Sequence, residues 1–196
     1  MTRTLRRGRL QRAPTRDGYR LETFVDVLRR HGLTMTALAL VCLLTPGALS
    51  LLGQTTTGFR ADPAAYLVVV IALLGFFALW SRRRAYAFTR QSLWVGYLLW
   101  ISIVEEVAFR LLLPALFEAE LTRLQAHVLS NAIFAGLHYF TLRWRLVNCI
   151  GTFLGAMGLS HLMGHGDLVL VILVHWVGTY LNTPWPPGTR RKTTPN

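Results

Sequence analysis

An apolar run from Ile101 to Phe117 contains two adjacent carboxylates and an arginine, Glu105, Glu106 and Arg110. The rest of the run has the composition of a membrane-spanning helix. A charged side chain at the centre of a bilayer costs about 2.5–3.5 kcal/mol on insertion scales, so three unpaired charges would cost up to about 10 kcal/mol. The chain must therefore fold so that these charges face protein or water.

The spacing of the charges predicts how part of this cost is offset. Glu106 precedes Arg110 by four residues, which is the favourable order for an ion pair within one helix. Glu105 points about 100° away around the helix and needs a partner on another helix. A carboxylate that is desolvated but reachable by water is a candidate general base.

Composition places the whole chain in a membrane. Of its 196 residues, 53% are hydrophobic and 15% are charged, and the mean hydropathy is +0.39. Soluble domains contain more charge and fewer apolar residues. We therefore expect an all-α integral membrane protein with a single transmembrane domain.

Six apolar segments predict a polytopic topology. Each is near the about 20 residues that span a bilayer when tilt is allowed for. We place them at 33–52, 64–80, 93–117, 124–142, 146–163 and 167–183. Pro46 and Gly47 predict a kink within the first segment.

The basic residues predict that both termini are cytoplasmic. With that orientation, all but three of the 21 basic residues lie in inside segments, the exceptions being Arg60, Arg110 and Arg123. The net charge of +12, which by itself could suggest nucleic acid, is then explained by topology. We expect membrane lipids as partners, no nucleic acid, and a multi-pass protein of the cell membrane. The preference for Arg over Lys favours a bacterial inner membrane.

The chain divides into three parts on this basis: a basic cytoplasmic arm at 1–32, a transmembrane domain at 33–183, and a basic cytoplasmic tail at 184–196. Residues 1–18 have no apolar periodicity and are predicted to be disordered. The apolar residues of 19–31 recur at helical spacing. This pattern fits either a helix on the membrane surface or a solvated extension of the first span. A cleaved signal peptide is disfavoured because the arm before the first span is too long.

The fourth apolar segment carries a polar stripe. His127, Asn131 and His138 are offset by four and seven residues, so they share one helical face that must turn inward. A membrane histidine often only forms packing hydrogen bonds. The unpaired Glu105 nevertheless makes these side chains candidate partners.

The sixth apolar segment supplies another histidine, His175, followed on the same face by Thr179 and Asn182. With Glu105 and His138 it forms a set of one carboxylate and two imidazoles. Such a set could activate a water molecule, hold a metal with Glu105, His138 and His175 as ligands, or relay protons. The residue types alone leave these three alternatives open.

Two further patterns predict structure and not chemistry. Gly151 and Gly155 form a GxxxG pair, which predicts close packing between helices. Cys42 and Cys149 lie in apolar segments without the spacing of a metal or redox motif. We expect both cysteines to be buried thiols and not a disulfide.

Two of these clusters resemble a known family. Glu105-Glu106-Val-Ala-Phe-Arg110 resembles the EExxxR motif, and Phe134-Ala-Gly-Leu-His138 resembles the FxxxH motif, of the CAAX-protease and bacteriocin-processing (CPBP) intramembrane peptidases. This is also called the ABI or Rce1-type family. The resemblance covers about 101–182. Its third motif is usually HxxxN, whereas this chain has a threonine four residues after its histidine.

The resemblance implies roles for the candidate residues. Glu105 with His138 would activate a water molecule for attack on a peptide carbonyl. Glu106 and Arg110 would hold the helix and tune the site. His175, helped by Thr179 or Asn182, would stabilise the oxyanion.

The resemblance also has implications for a cofactor and for the alternative functions. The family has been described both as metallopeptidases and as metal-independent glutamate peptidases. Without an HExxH motif we favour no tightly bound zinc, with Glu105, His138 and His175 as the ligands if a divalent metal is held. The expected substrate is a membrane-associated protein or peptide. The alternatives are a non-proteolytic scaffold or bacteriocin-immunity protein of the same fold, and a small proton-coupled transporter.

Overall fold

The computed structural model describes residues 10–12, 21–82, 88–165 and 167–187. Within these ranges the secondary structure consists of helices joined by turns and irregular segments, with one isolated bridge between Gln11 and Trp144. The α-helices are α1 (Phe24–Leu43), α2 (Ala48–Gln54), α3 (Thr57–Ala61), α4 (Pro63–Arg82), α5 (Phe88–Glu106), α6 (Leu113–Phe117), α7 (Arg123–Thr141), α8 (Leu146–Met163) and α9 (Leu168–Asn182). Two π-helical segments, Leu28–Gly32 inside α1 and Val107–Leu112 between α5 and α6, interrupt this pattern. The predicted all-α class is confirmed.

The helices lie where the apolar segments predict them, and the first segment is broken at the expected place. Helices α1 and α2 meet at an angle of 99°. Gly47, directly before α2, has a φ of 81°, a left-handed conformation that a residue with a Cβ adopts only at a cost. The kink predicted from Pro46 and Gly47 is therefore confirmed.

Two helices, α4 and α8, are long and apolar enough to cross a membrane, and a third span is present if the bent pair α1 and α2 crosses as one unit. Helices α5 and α7 carry the polar residues that turn inward, which lowers their mean hydropathy. The count of six spans and the cytoplasmic position of both termini remain predictions.

The core is formed around α5 and α9. Trp176 is 1% exposed; its indole nitrogen donates to the Val95 carbonyl at 3.1 Å, and its ring meets Phe77 edge-on at 4.9 Å. Helices α7 and α8 are joined by Asn131, whose amide nitrogen donates to the Ser160 hydroxyl at 2.9 Å. These contacts hold α9 against α5 and α4, and α7 against α8.

Gly151 and Gly155 do not pack as predicted. Both are exposed on α8, and a Cβ built at either position meets no atom within 4 Å in the described part of the chain. The assignment of this pair to close helix packing within the chain is wrong, because the glycines lie on the outer face of α8. Cys42 and Cys149 are buried free thiols, as predicted.

The N-terminal arm contributes to the fold. A capping box between Thr23 and Asp26 starts α1, which continues into the first predicted span. The helix of this stretch thus continues into the first predicted span, as the interpretation of 19–31 as an extension of that span expects. The stretch is not solvated throughout, however, because His31 is buried.

The arm also makes contacts before α1. The Leu10 carbonyl accepts from the Arg145 backbone and the Asn148 amide, and Arg12 donates to the Tyr139 carbonyl. The prediction of disorder is wrong for 10–12. Residues 1–9, 13–18 and most of the tail, 188–196, lie outside the described residues.

Candidate active site

Five of the predicted site residues converge at the middle of the helical bundle. Glu105 and Glu106 end α5, and Arg110 follows in the π-helical segment Val107–Leu112. His138 lies in the last turn of α7, and His175 lies within α9. These side chains come from three parts of the chain, and nitrogen–oxygen distances of 4 Å or less connect them.

Glu106 contacts both a cation and an imidazole. Its Oε2 lies 3.3 Å from Arg110 Nε, with neither side chain exposed, so the spacing predicted this pair correctly. Its Oε1 contacts His175 Nδ1 at 2.5 Å. Because a carboxylate oxygen accepts, the hydrogen of that imidazole lies on Nδ1. Glu106 thus orients His175, and the Arg110 guanidinium, 4.2 Å above the Phe134 ring, offsets its charge.

Glu105 is surrounded by imidazoles. Its Oε2 lies 3.6 Å from His175 Nε2, and its Oε1 lies 3.9 Å from His138 Nε2. The partner that Glu105 needs on another helix is therefore supplied by histidines. A third one, His31, is closer still, with Nε2 2.9 Å from Oε1.

His31 is the site residue that sequence reasoning missed, since it was assigned to the basic arm. It is buried, and its Nδ1 contacts the Thr141 hydroxyl at 2.8 Å. The available signal was its register. His31 follows Phe24 by seven residues and the buried Val27 by four, so it continues their apolar face and points inward.

Hydrogen bonds also orient His138. Its Nδ1 lies 2.9 Å from the Phe134 carbonyl one turn earlier. A carbonyl only accepts, so Nδ1 carries the hydrogen and Nε2 of the neutral ring presents its lone pair to Glu105. The Trp144 ring, 4.8 Å away between centroids, packs against His138 at the end of α7.

Both π-helical segments lie at this site. One contains His31, and the other starts directly after Glu106. The Phe109 carbonyl of the second segment accepts a hydrogen bond from Ser130 of α7 at 2.7 Å. π-Helical turns within α-helices occur frequently at functional sites, and here they bring α1 and α5 together around Glu105.

Thr179 and Asn182 are not joined to the cluster. In the described part of the chain, no hydrogen bond or ion pair links either side chain to His175 or Glu105, and Asn182 is exposed. The partner of His175 is Glu106. The expected support from Thr179 or Asn182 therefore has no counterpart in this arrangement.

The cluster opens on the side of His175. The side chain of His175 is 12% exposed, compared with 2% for Glu105 and 6% for His138. A water molecule or a peptide approaching the carboxylate would therefore pass His175.

The apolar helices fit a membrane protein, and a buried carboxylate lies among imidazoles in its interior. Residues 87–181 match the family of type II CAAX prenyl endopeptidase Rce1-like proteins. The matched segment is Rce1-like, in agreement with the family that the two motifs resemble. It contains Glu105, His138 and His175, whereas His31 lies outside it. No match was found among curated proteins or among solved structures.

Proposed function

We propose that the protein is an intramembrane endopeptidase that hydrolyses a peptide bond of a membrane-associated protein or peptide. One observation carries the proposal: within an Rce1-like segment, the buried carboxylate of Glu105 faces His138 Nε2 at 3.9 Å and His175 Nε2 at 3.6 Å. A carboxylate next to imidazoles in a site shielded from bulk water suits general acid–base hydrolysis.

The reaction begins with a water molecule held between Glu105 and His138. Glu105 removes a proton from this water while its oxygen attacks the carbonyl carbon of the substrate. The bond to the leaving nitrogen then breaks, and Glu105 returns the proton to that nitrogen. Such positioned proton transfer contributes about 10²- to 10⁴-fold to a rate.

His175 is suited to stabilise the oxyanion formed by the attack. It is the most exposed member of the cluster, and Glu106 fixes its ring through Nδ1. In its imidazolium form, Nε2 donates a hydrogen bond towards the developing negative charge. Arg110 offsets the charge of Glu106 and thereby permits this arrangement in a buried site.

The location of the protein in a membrane restricts the class of substrate that it can reach. Few residues of helices α4 and α8 are buried inside the protein, which fits contact with lipid. We place the protein as a multi-pass protein of a bacterial inner membrane with six spans and both termini inside. A substrate would reach the His175 side from the membrane or its surface, so an extended segment of a membrane-anchored protein fits best.

The test compares new protein termini in membranes from cells that express wild type or Glu105→Gln at matched levels. The substitution keeps the size of the side chain and removes its basic oxygen. Glu118→Gln, at an exposed glutamate near the end of α6, is the matched control. Termini that appear with wild type and with the control, but not with Glu105→Gln, support the proposal and identify the substrate.

Identical termini in all three samples, in host cells that contain the native substrates, would favour a second candidate. This is a non-proteolytic scaffold or immunity protein of the same fold. One observation favours it: Thr179 replaces the asparagine of the family motif, and in the described part of the chain its side chain forms no hydrogen bond with His175 or Glu105.

A further inference from the structure

Both imidazoles that face Glu105 Oε1 are oriented by acceptors at Nδ1. The Thr141 hydroxyl donates its only hydrogen to the Leu137 carbonyl at 2.7 Å, so it accepts from His31 Nδ1 at 2.8 Å. His138 Nδ1 likewise donates to a carbonyl. In both neutral rings the lone pair therefore lies on Nε2, the atom that faces Glu105.

Three ligand atoms thereby meet in a buried space. His31 Nε2 and His138 Nε2 lie 2.9 Å and 3.9 Å from Glu105 Oε1, and the three residues offer ligand atoms all within 4.8 Å of one another. A tetrahedral site with bonds of about 2.0–2.2 Å separates its ligands by about 3.4 Å. The observed separations bracket that value.

The carboxylate oxygen at this point is buried, and its nearest partner is His31 Nε2 at 2.9 Å, in an approach that is not aligned as a hydrogen bond. Two imidazole lone pairs and an anionic oxygen repel one another unless a positive charge lies between them. That charge is either a proton on His31, which gives an ion pair with Glu105, or a metal ion that all three ligand atoms share. Arg110 does not provide that charge, because it pairs with Glu106.

We propose that His31, Glu105 and His138 bind a divalent metal ion, best matched by zinc, and that His31 supplies a ligand from outside the Rce1-like segment. Two imidazoles and one carboxylate are a ligand set of catalytic zinc sites, which keep a further position open for water. Thr141 and the Phe134 carbonyl hold the two rings from behind, as partners of metal-bound histidines commonly do.

This inference concerns the same site as the proposed function and alters the predicted ligand set. His175 is not a ligand here, since Glu106 holds its Nδ1 and its Nε2 faces the other oxygen, Oε2. Oε2 therefore remains free to accept the proton of the attacking water. When bound, a zinc ion would make that water more acidic and polarise a carbonyl.

The test measures metal in the purified full-length protein. All variants are made in a His161→Ala/His165→Ala background, because these two exposed histidines lie close together and could bind metal themselves. Zinc per chain is determined by mass spectrometry. Zinc affinity after chelation is determined by competition with a chromogenic indicator.

We expect about one zinc ion per chain in the background protein and at least a 100-fold weaker affinity in His31→Ala. Thr141→Val removes only the acceptor behind His31 and should weaken affinity by about 10- to 100-fold. This variant decides the matter if His31→Ala does not fold. Thr152→Val, the same change at a threonine of α8 whose hydroxyl donates to the Asn148 carbonyl of its own helix, should retain the affinity.

A background protein without stoichiometric zinc, or a folded His31→Ala or Thr141→Val variant with unchanged zinc affinity, overturns the inference. The outcomes also separate the two proposals. Proteolysis that depends on Glu105 in zinc-free protein leaves the proposed function standing without the metal. Zinc bound through His31 without any proteolysis leaves the metal site standing without the function.

Discussion

Removal of the charge on Glu106 should destabilise the protein strongly. Glu106 Oε2 lies 3.3 Å from Arg110 Nε, and both side chains are fully buried. At an effective dielectric constant of about 20, this separation corresponds to an attraction of about 5 kcal/mol. Stacking of Arg110 on Phe134 persists without Glu106 and offsets about 1–2 kcal/mol of a buried charge.

We therefore expect Glu106→Gln to lower the free energy of unfolding by about 3–5 kcal/mol, because it leaves a buried guanidinium without its counter-ion. The glutamine keeps an acceptor for His175 Nδ1, so the loss reports mainly on Arg110. Arg110→Met should cost a similar amount. The double variant carries no unpaired charge at these positions and should cost much less than the sum of the two.

The assay is reversible unfolding in mixed detergent micelles, followed by circular dichroism. Glu118→Gln, at an exposed glutamate, should change the free energy by less than about 0.5 kcal/mol. A loss below about 1 kcal/mol for Glu106→Gln would refute the reasoning. So would a double variant whose loss equals the sum of the single losses, since the two charges would then not interact.

Two further variants test the packing around the site by the same unfolding assay. Ser130→Ala removes the hydrogen bond between α7 and the Phe109 carbonyl of the π-helical segment, and should cost about 0.6–1.7 kcal/mol; no measurable loss would show that this bond does not stabilise the segment. Trp176→Ala removes the largest fully buried side chain of the described residues, which joins α9 to α5, and should cost about 3–5 kcal/mol. Trp176→Phe, which keeps a ring against Phe77, should cost clearly less; equal losses would contradict the packing described here.

Much of the helical architecture could be predicted from the sequence. Long apolar segments between polar breaks predict helices that contact lipid or pack in the core. Pro46-Gly47 predicted the bend. Glu106 and Arg110 were predicted to pair because residues four apart on one helix are neighbours in any tertiary surroundings. The outward position of Gly151 and Gly155 was not predictable, because a GxxxG pattern does not specify which face of a helix meets a neighbour.

The site was predictable only in part. Glu105, His138 and His175 stood out because a polar group in an apolar helix requires a partner. His31 did not, since it follows two arginines in a basic flank and its partner Thr141 lies 110 residues away. The π-helical segments also escaped prediction, because a shift in backbone hydrogen bonding leaves no trace in composition.

The most direct test of the central claim uses the purified protein in lipid vesicles with the membrane substrate that the comparison of termini identifies. Initial cleavage rates are measured for wild type, Glu105→Gln and Glu118→Gln, with substrate binding measured separately. We predict that Glu105→Gln binds substrate but cleaves at least about 100-fold more slowly, whereas Glu118→Gln matches wild type. Cleavage by Glu105→Gln within about threefold of the wild-type rate would contradict the assignment of Glu105 as the residue that activates water.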